Sequence, residues 1–192
     1  MTLPKRIFFS GVPGSRWSRV AQLIESIPGF NTSDRTPERS FGFNHFSGHL
    51  GAYFGSGMEF PLDLDPGNID SAHTTHTGCR LIKAHEWAYK LNEIKNRYPD
   101  DWIILIYRPD NVSFAWWNEA GGFNISYPNY AAFKDATNMM YEIAQMNQAI
   151  LKFTYQQNAT WNHLTSKWVL DNFGVELEVN HKFDDMLITI IK

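Results

Sequence analysis

The pattern of apolar and polar positions divides the chain into strand-like and helix-like segments. Short apolar stretches predict a buried strand at 6–12 and a strand at 80–83, and the continuous apolar run at 101–109 predicts a strand buried on both faces. Residues 185–191 are a candidate last strand. Apolar residues spaced three or four apart predict helices at 15–27, 86–97 and 130–156. Pro109, which suits a first helical turn, predicts a helix at 110–120, and a further helix is predicted at 161–173, closed by Gly174. Alternating strands and helices predict an α/β fold, with a central parallel sheet flanked by helices.

Residues 30–78 show no regular spacing of apolar residues and are rich in glycine, phenylalanine and histidine. A structureless segment of this length is uncommon inside a compact domain and often has a function. We therefore predict one domain over residues 1–192, in which residues 30–78 are a candidate binding segment lined by His45, Phe46 and Tyr53. The alternative is a surface excursion without a ligand.

Composition bounds the class of protein. Apolar residues make up 43% of the chain and charged residues 19%, which predicts a packed core and not a disordered chain. The formal net charge of -3 argues against a nucleic-acid partner, because such proteins carry a basic excess. Cys79 is the single cysteine, which is typical of a reducing compartment such as the cytoplasm. No apolar run approaches the roughly 18 residues of a membrane span, so we expect no membrane partner.

The stretch GVPGSRWS at 11–18 joins the first predicted strand to the first predicted helix. Backbone N–H groups at a helix N-terminus attract an anion, and the helix dipole adds to the attraction. Gly11 and Gly14 allow a close backbone approach, Ser15 and Ser18 offer hydroxyl donors, and Arg16 offers a charge. The loop is therefore a P-loop-like candidate anion site, or else a strand-to-helix turn without a ligand.

A magnesium-nucleotide site needs a lysine in this loop and a carboxylate at the end of a neighbouring strand. The loop has no lysine, and the neighbouring strand ends in Arg108, which suits a phosphate and not a metal. His73 and His76 in HTTH suggest a metal site, but no further ligand cluster supports one. We expect an anion site without a metal.

Three stretches, in this order and spacing, resemble the sulfotransferases that use 3′-phosphoadenosine 5′-phosphosulfate (PAPS). Their first motif is a strand–loop–helix that grips the 5′-phosphosulfate, and residues 11–18 resemble it, including the opening Gly-Val-Pro of the protein-tyrosine sulfotransferases. Their second motif, Lys-Thr-His, is matched by KAH at 83–85. Their third motif, an arginine at a strand end and a serine on the next helix, grips the 3′-phosphate and is similar to Arg108 and Ser113.

The resemblance implies transfer of a sulfuryl group from PAPS to a hydroxyl or amine of a small-molecule or glycan acceptor, which leaves 3′,5′-ADP and needs no metal. It implies His85 as the general base and Lys83 as a contact of the transferring group, and residues 30–78 are then the candidate acceptor-binding segment. Glu86 is the second candidate base, because membrane-anchored members use a glutamate. Strand residues two apart point the same way, so Lys83 and His85 should face one side at the carboxyl end of their strand. The implied cofactor-binding residues are Gly11, Val12, Pro13, Gly14, Ser15, Arg16, Trp17, Ser18, Arg108 and Ser113.

The sequence departs from the family pattern at two places. Gly14 stands where the family has a basic residue and Arg16 where it has a glycine, so either Arg16 supplies the displaced charge or the leaving-group contact is lost. Ser113 lies closer to Arg108 than the family's serine lies to its arginine, and allowing one deletion puts Ala115 there instead. Two alternatives stay open: an inactive sulfotransferase-like protein that binds an anion or nucleotide, and a P-loop nucleotide kinase.

Overall fold

The computed structural model describes residues 2–33, 73–119, 135–180 and 183–192, together with Gly67, Asp70 and Gly122. Most of the predicted binding segment at 30–78, including His45, Phe46 and Tyr53, lies outside these residues. The prediction that it binds an acceptor therefore stays a prediction.

Within the described residues, four strands form one sheet in the order β2-β1-β3-β4. The strands are β1 (Arg6–Ser10), β2 (Arg80–Lys83), β3 (Trp102–Tyr107) and β4 (Leu187–Ile191). β1 pairs in parallel with β2 and β3, whereas β4 pairs antiparallel with β3, so that Tyr107 lies opposite Leu187. The α/β class is confirmed, but the sheet is mixed and not purely parallel, and the chain enters β4 at the edge where β3 ends.

Helices pack on both faces of the sheet. They are α1 (Trp17–Glu25), α2 (Leu91–Arg97), α3 (Asp110–Glu119), α4 (Ala136–Gln156) and α5 (Ser166–Phe173), with a 3₁₀ helix at Glu86–Tyr89. None of the helices in the described part of the chain is both long and apolar enough to cross a bilayer.

Two apolar cores, one on each face, follow from the alternation of side chains along the strands. Phe8 and Leu105 pack with α2 and α4 on one face, and Trp117 of α3 joins them. Ile7 and Ile104 pack with α1 and α5 on the other face. Both faces of the inner strands are buried, which is why these strands are continuous apolar runs in the sequence.

Several helix boundaries differ from the prediction, and α1 is two residues shorter at each end. Residues 86–97 form two elements, because the backbone at Lys90 leaves the helical region (φ -115°, ψ 9°) between the 3₁₀ helix and α2. α5 begins at Ser166 and not at residue 161, because the Thr165 side chain accepts a hydrogen bond from the Trp168 amide and caps the helix there. Asp135 caps α4 in the same way through the Asn138 amide.

Ion pairs lie at the edge of the sheet where the parallel strands begin. Arg6 Nε lies 2.7 Å from a carboxylate oxygen of Asp101, and Arg80 Nη1 lies 2.8 Å from a carboxylate oxygen of Asp70. Asp70 also pairs with Lys5 at 2.7 Å. These ion pairs connect β1 to Asp101, which precedes β3, and β2 to Asp70, at the end of the sheet away from the predicted site.

Candidate functional site

The three segments predicted to carry function meet at the carboxyl edge of the parallel strands. Residues 11–18 follow β1, His85 follows β2, and Arg108 follows β3, with β1 between the other two strands. The chain leaves β1 toward α1 on one face and leaves β2 and β3 toward helices whose buried residues belong to the other core. In open α/β sheets, ligands bind outside the carboxyl ends of the strands at the place where such a reversal occurs.

The loop at 11–18 is a tight turn that leads into α1. The Ser15 amide donates a 3.0 Å hydrogen bond to the Val12 carbonyl oxygen. Gly14 has φ +78°, and Arg16, at the N-cap of α1, has φ +62°. A non-glycine residue in the left-handed region is strained, and such strain is common at functional sites. The first turn of α1 contains no acidic residue, so its positive end is not neutralised there.

Ser15 is the predicted donor whose environment is most informative. Its side chain is fully buried, and Oγ has no hydrogen-bond partner among the described residues. A buried hydroxyl without a partner carries a desolvation cost, so a water or ligand oxygen at this position would satisfy it. Of the other loop residues, Gly11, Val12 and Pro13 are buried, and Ser18 is partly exposed on α1.

Arg108 links the end of β3 to the loop. Its guanidinium donates from Nη1 to the Gly14 carbonyl oxygen at 2.6 Å and from Nη2 to the Asp185 carboxylate. Its own carbonyl oxygen accepts hydrogen bonds from Asn147 Nδ2 at 2.8 Å and from Ser113 Oγ at 3.3 Å. Ser113 is therefore placed to hold the backbone of Arg108, and its predicted contact with a cofactor stays a prediction. Arg108 Nε is buried without a hydrogen-bond partner in the described structure.

A second arginine lies beside Arg108. Arg16 Nη2 is 3.7 Å from the Asp185 carboxylate, and the Arg16 guanidinium lies 4.6 Å from the ring centroid of Trp116. The Arg108 guanidinium lies 5.7 Å from the same ring. Two cations, one carboxylate and one aromatic face thus form a cluster between the loop, α3 and the start of β4, which we call the arginine cluster (Arg16, Arg108, Trp116 and Asp185).

His85 is held against the loop and is almost completely buried, at 1% exposure. Nδ1 is hydrogen-bonded to the Gly11 carbonyl oxygen, and the ring stacks on Trp17 with centroids 3.7 Å apart. Its own carbonyl oxygen accepts a hydrogen bond from Ser10 Oγ at 3.2 Å. Because a carbonyl oxygen can only accept, the Gly11 contact places a proton on Nδ1 and, in the neutral ring, leaves the lone pair on Nε2.

Burial determines the charge of His85. Loss of hydration lowers its pKa to about 3; the Gly11 hydrogen bond opposes this shift and the neighbouring Lys83 charge adds to it. The imidazole is therefore neutral at pH 7, but a pKa this low makes it a weak base while the ring is buried. Because the residue is 1% exposed, an acceptor reaches Nε2 only if neighbouring groups move.

Lys83 lies on the same side of the sheet as His85, and Glu86 does not. Lys83 is buried, with Nζ 5.9 Å from the ring centroid of Trp17, so both Lys83 and His85 reach the Trp17 ring. Glu86 begins the 3₁₀ helix, which packs on α4 at the opposite face. Its pKa is raised by burial and then by the charge of Glu142 on α4. The predicted catalytic roles of these residues stay predictions.

Asp185 and Asn147 are site residues that the sequence pattern does not single out. The pattern predicts Asp185 as the first residue of a strand, whereas it lies in the turn before β4. Asn147 lies on the buried side of α4 and donates hydrogen bonds to the Arg108 carbonyl oxygen and, at 2.6 Å, to Asp110. A buried amide between Met146 and Ile150 on an apolar helix face was the available signal, because a buried polar residue needs partners.

Comparisons with known proteins assign no family to the chain. No protein-family model, no curated protein and no solved structure matches the chain. In the ranges that the structure describes, no group of three or more histidine, cysteine or acidic residues is placed to hold a metal ion.

The burial of His85 predicts a pH dependence of stability. The unfolded histidine takes up a proton near its ordinary pKa of 6.5, whereas the folded one does so near 3, so between these values the unfolded state binds more protons. The contribution of the neutral His85 to the free energy of unfolding is therefore fully present above pH 6.5, and it decreases as the pH falls toward 3. At pH 5 we expect a loss of about 2 kcal/mol relative to pH 7. Urea unfolding of the wild type and His85→Asn at both pH values isolates this loss, which should be absent from the variant.

Proposed function

We propose that the chain is a PAPS-dependent sulfotransferase that transfers a sulfuryl group to a hydroxyl or amine acceptor. The observation that carries the proposal is the meeting of residues 11–18, His85 and Arg108 at one sheet edge, with direct contacts from His85 to Gly11 and from Arg108 to Gly14. These are the three segments on which the resemblance rests. The contact between Arg108 and Gly14 joins residues that are 94 positions apart in the sequence. The meeting of the segments is therefore a property of the fold and not of neighbouring sequence.

The residues at this edge suit a phosphorylated nucleotide. Buried polar atoms without hydrogen-bond partners in the described part, Ser15 Oγ and Arg108 Nε, lie on the loop and on the arginine that contacts it. Two guanidiniums stand within one cluster, and the N-terminus of α1 adds its dipole. In this proposal Arg108 binds the 3′-phosphate, and the loop with Ser15 binds the 5′-phosphosulfate.

The protein residues would divide the transfer chemistry among them. PAPS supplies an activated sulfur whose bond to the 5′-phosphate oxygen breaks as the acceptor oxygen or nitrogen bonds to it. His85 accepts the acceptor's proton at Nε2, and Lys83 and Arg16 place positive charge beside the oxygens on which negative charge grows. Arg16 takes the place of the basic residue that the family has at the position of Gly14. His85 must become accessible for this chemistry, since it is almost completely buried.

A second candidate function is binding without turnover, and the burial of His85 favours it. A histidine with 1% exposure, bonded to a backbone carbonyl and stacked on a tryptophan, is also what a purely structural residue looks like. Nucleotide affinity does not separate the two candidates, but sulfuryl transfer by the wild type does. A P-loop nucleotide kinase is less well supported, because the residue after β3 is Arg108, which cannot hold magnesium.

Nucleotide selectivity tests the proposal. At about 100 times its dissociation constant, 3′,5′-ADP should raise the free energy of unfolding by about 2.7 kcal/mol, which a thermal shift detects, and ATP with Mg²⁺ should give a smaller shift. Arg108→Ala should weaken 3′,5′-ADP by roughly ten- to a hundredfold in calorimetry and leave 5′-ADP nearly unchanged, since 5′-ADP lacks the 3′-phosphate. A larger shift with ATP–Mg²⁺ than with 3′,5′-ADP would reject the sulfotransferase proposal in favour of the kinase.

A further inference from the structure

Asp185 lies at the candidate site because of the direction of β4. The turn before β4 is closed by a 3.2 Å hydrogen bond from the Met186 amide to the Phe183 carbonyl oxygen. Phe183 and Met186 are both buried in the core on the α1 face, so the backbone that carries Asp185 is fixed on both sides. Since β4 begins opposite the end of β3, this turn lies beside Arg108.

The carboxylate of Asp185 occupies the place of an anion in the arginine cluster. Oδ2 accepts a hydrogen bond from Arg108 Nη2 and lies 3.7 Å from Arg16 Nη2. The Arg108 side chain is 3% exposed, so its charge is taken out of water and needs a counter-ion. Oδ2 is an oxygen that carries partial negative charge and faces two guanidiniums, which is the environment that a phosphate oxygen prefers.

We infer that Asp185 is an internal counter-ion that a bound phosphate displaces from Arg108, which makes it a specificity-determining residue of the nucleotide site. This inference rests on the proposed function for the identity of the nucleotide. A carboxylate and a phosphate cannot both occupy the same face of the Arg108 guanidinium, and their charges repel. Asp185 therefore raises the cost of binding for every ligand that uses Arg108, and only a group with the charge of a phosphate monoester overcomes it.

The geometry allows the exchange to take place by rotation of one side chain. Asp185 is 35% exposed, so its carboxylate can turn toward solvent while Phe183 and Met186 keep the backbone in place. The pairing uses one oxygen only, because Oδ1 is buried and has no hydrogen-bond partner in the described residues. A single-oxygen contact is weaker than a bidentate one, which suits a group that has to leave.

The rival explanation is that Asp185 positions Arg108 for the ligand. In that case the carboxylate would stay in place during binding, and its removal would let the guanidinium adopt unproductive rotamers. The two explanations predict opposite changes in affinity, so a single substitution separates them. The matched control is Asp184, which is exposed and carries the same charge one residue earlier.

The experiment compares Asp185→Asn and Asp184→Asn with the wild type by calorimetry at one fixed ionic strength. Asp185→Asn should bind 3′,5′-ADP about tenfold more tightly. This is the gain expected if Arg108 of the wild type is released from Asp185, and so able to bind a phosphate, about one-tenth of the time. Its affinity for 5′-ADP should change less than about threefold, because that nucleotide lacks the phosphate that Arg108 would hold. Asp184→Asn should leave both affinities within about twofold of the wild type, since an exposed charge is screened.

Each other outcome has a defined meaning. Unchanged or weaker binding of 3′,5′-ADP by Asp185→Asn overturns the inference and leaves the proposed function standing. An equal gain with Asp184→Asn overturns it too, because the effect would then be one of net charge. If the wild type does not bind 3′,5′-ADP, the proposed function fails, and inorganic phosphate decides on Asp185: tighter phosphate binding by Asp185→Asn alone supports displacement. Failure of all three proteins to bind either probe overturns both.

Discussion

Replacing His85 with asparagine should lower sulfuryl transfer by about 10²- to 10⁴-fold while leaving the affinity for 3′,5′-ADP close to that of the wild type. The expected loss is that of a general base removed from the acceptor side of the reaction. Nucleotide affinity should persist because a base that faces the acceptor need not contact the adenosine phosphates.

Asparagine is the informative substitution because His85 has two roles that must be separated. The ring donates from Nδ1 to the Gly11 carbonyl oxygen and so holds the loop against β2. An asparagine amide can donate a hydrogen bond from nearly the same position, but it has no basic nitrogen at the position of Nε2. His85→Ala removes both functions and should therefore lose stability as well as turnover, by about 2–3 kcal/mol for the lost bond and packing.

The measurement is transfer from PAPS to a panel of hydroxyl and amine acceptors, with 3′,5′-ADP affinity and thermal unfolding followed in parallel. His163→Asn is the matched control, because His163 is exposed and outside the site. Full activity in His85→Asn would show that His85 is not the base, and Glu86→Gln would then be the variant to assay. A wild type that binds 3′,5′-ADP but transfers sulfuryl groups to none of the acceptors would favour the non-catalytic candidate.

Much of the fold could be predicted because its signals are local. The run WIILIY is apolar at every position, and only a strand covered on both faces accommodates that, which is how β3 is buried. The apolar spacing from Met139 to Phe153 matches the buried face of α4. The rule that ligands bind at the carboxyl ends of parallel strands brought residues 11–18, 83–85 and Arg108 to one edge without any knowledge of side-chain contacts.

What could not be predicted depends on contacts between distant segments. An apolar run such as LITII has the same pattern whether it pairs parallel or antiparallel, so the direction of β4 was not encoded locally. That direction alone brings Asp185 to Arg108, 77 residues away in sequence. The burial of His85 was equally hidden, because it depends on the stacking of Trp17 and on the position of the Gly11 carbonyl.

The glycine at position 14 shows how a departure from a family pattern can follow from packing. Gly14 has φ +78°, and an ideal Cβ there would lie 2.0 Å from the carbonyl oxygen of Ser113. Backbone atoms of α3 therefore fill the space that a basic side chain would need. Under the proposed function, a positive charge near the loop has to come from another position, and Arg16, two residues later, is the residue that reaches the arginine cluster.

Gly14→Ala should consequently lower the free energy of unfolding by about 2–5 kcal/mol, from about 1–2 for a left-handed alanine and about 1–3 for the overlap with Ser113. Gly174→Ala is the matched control: Gly174 has a similar φ of +71° at the end of α5, and an added Cβ meets no atom within 4 Å.

Gly174→Ala should lose only the contribution of the left-handed backbone, about 1–2 kcal/mol. The difference between the two variants in urea unfolding therefore measures the overlap of the added Cβ with Ser113. Gly14→Ala should also weaken 3′,5′-ADP, because moving Ser113 displaces the backbone of Arg108, which Ser113 Oγ contacts. Equal losses of stability in the two variants would mean that α3 does not close on the loop in solution. Tighter nucleotide binding by a stable Gly14→Lys would contradict the assignment of the displaced charge to Arg16, since the loop would then accept the family's own arrangement.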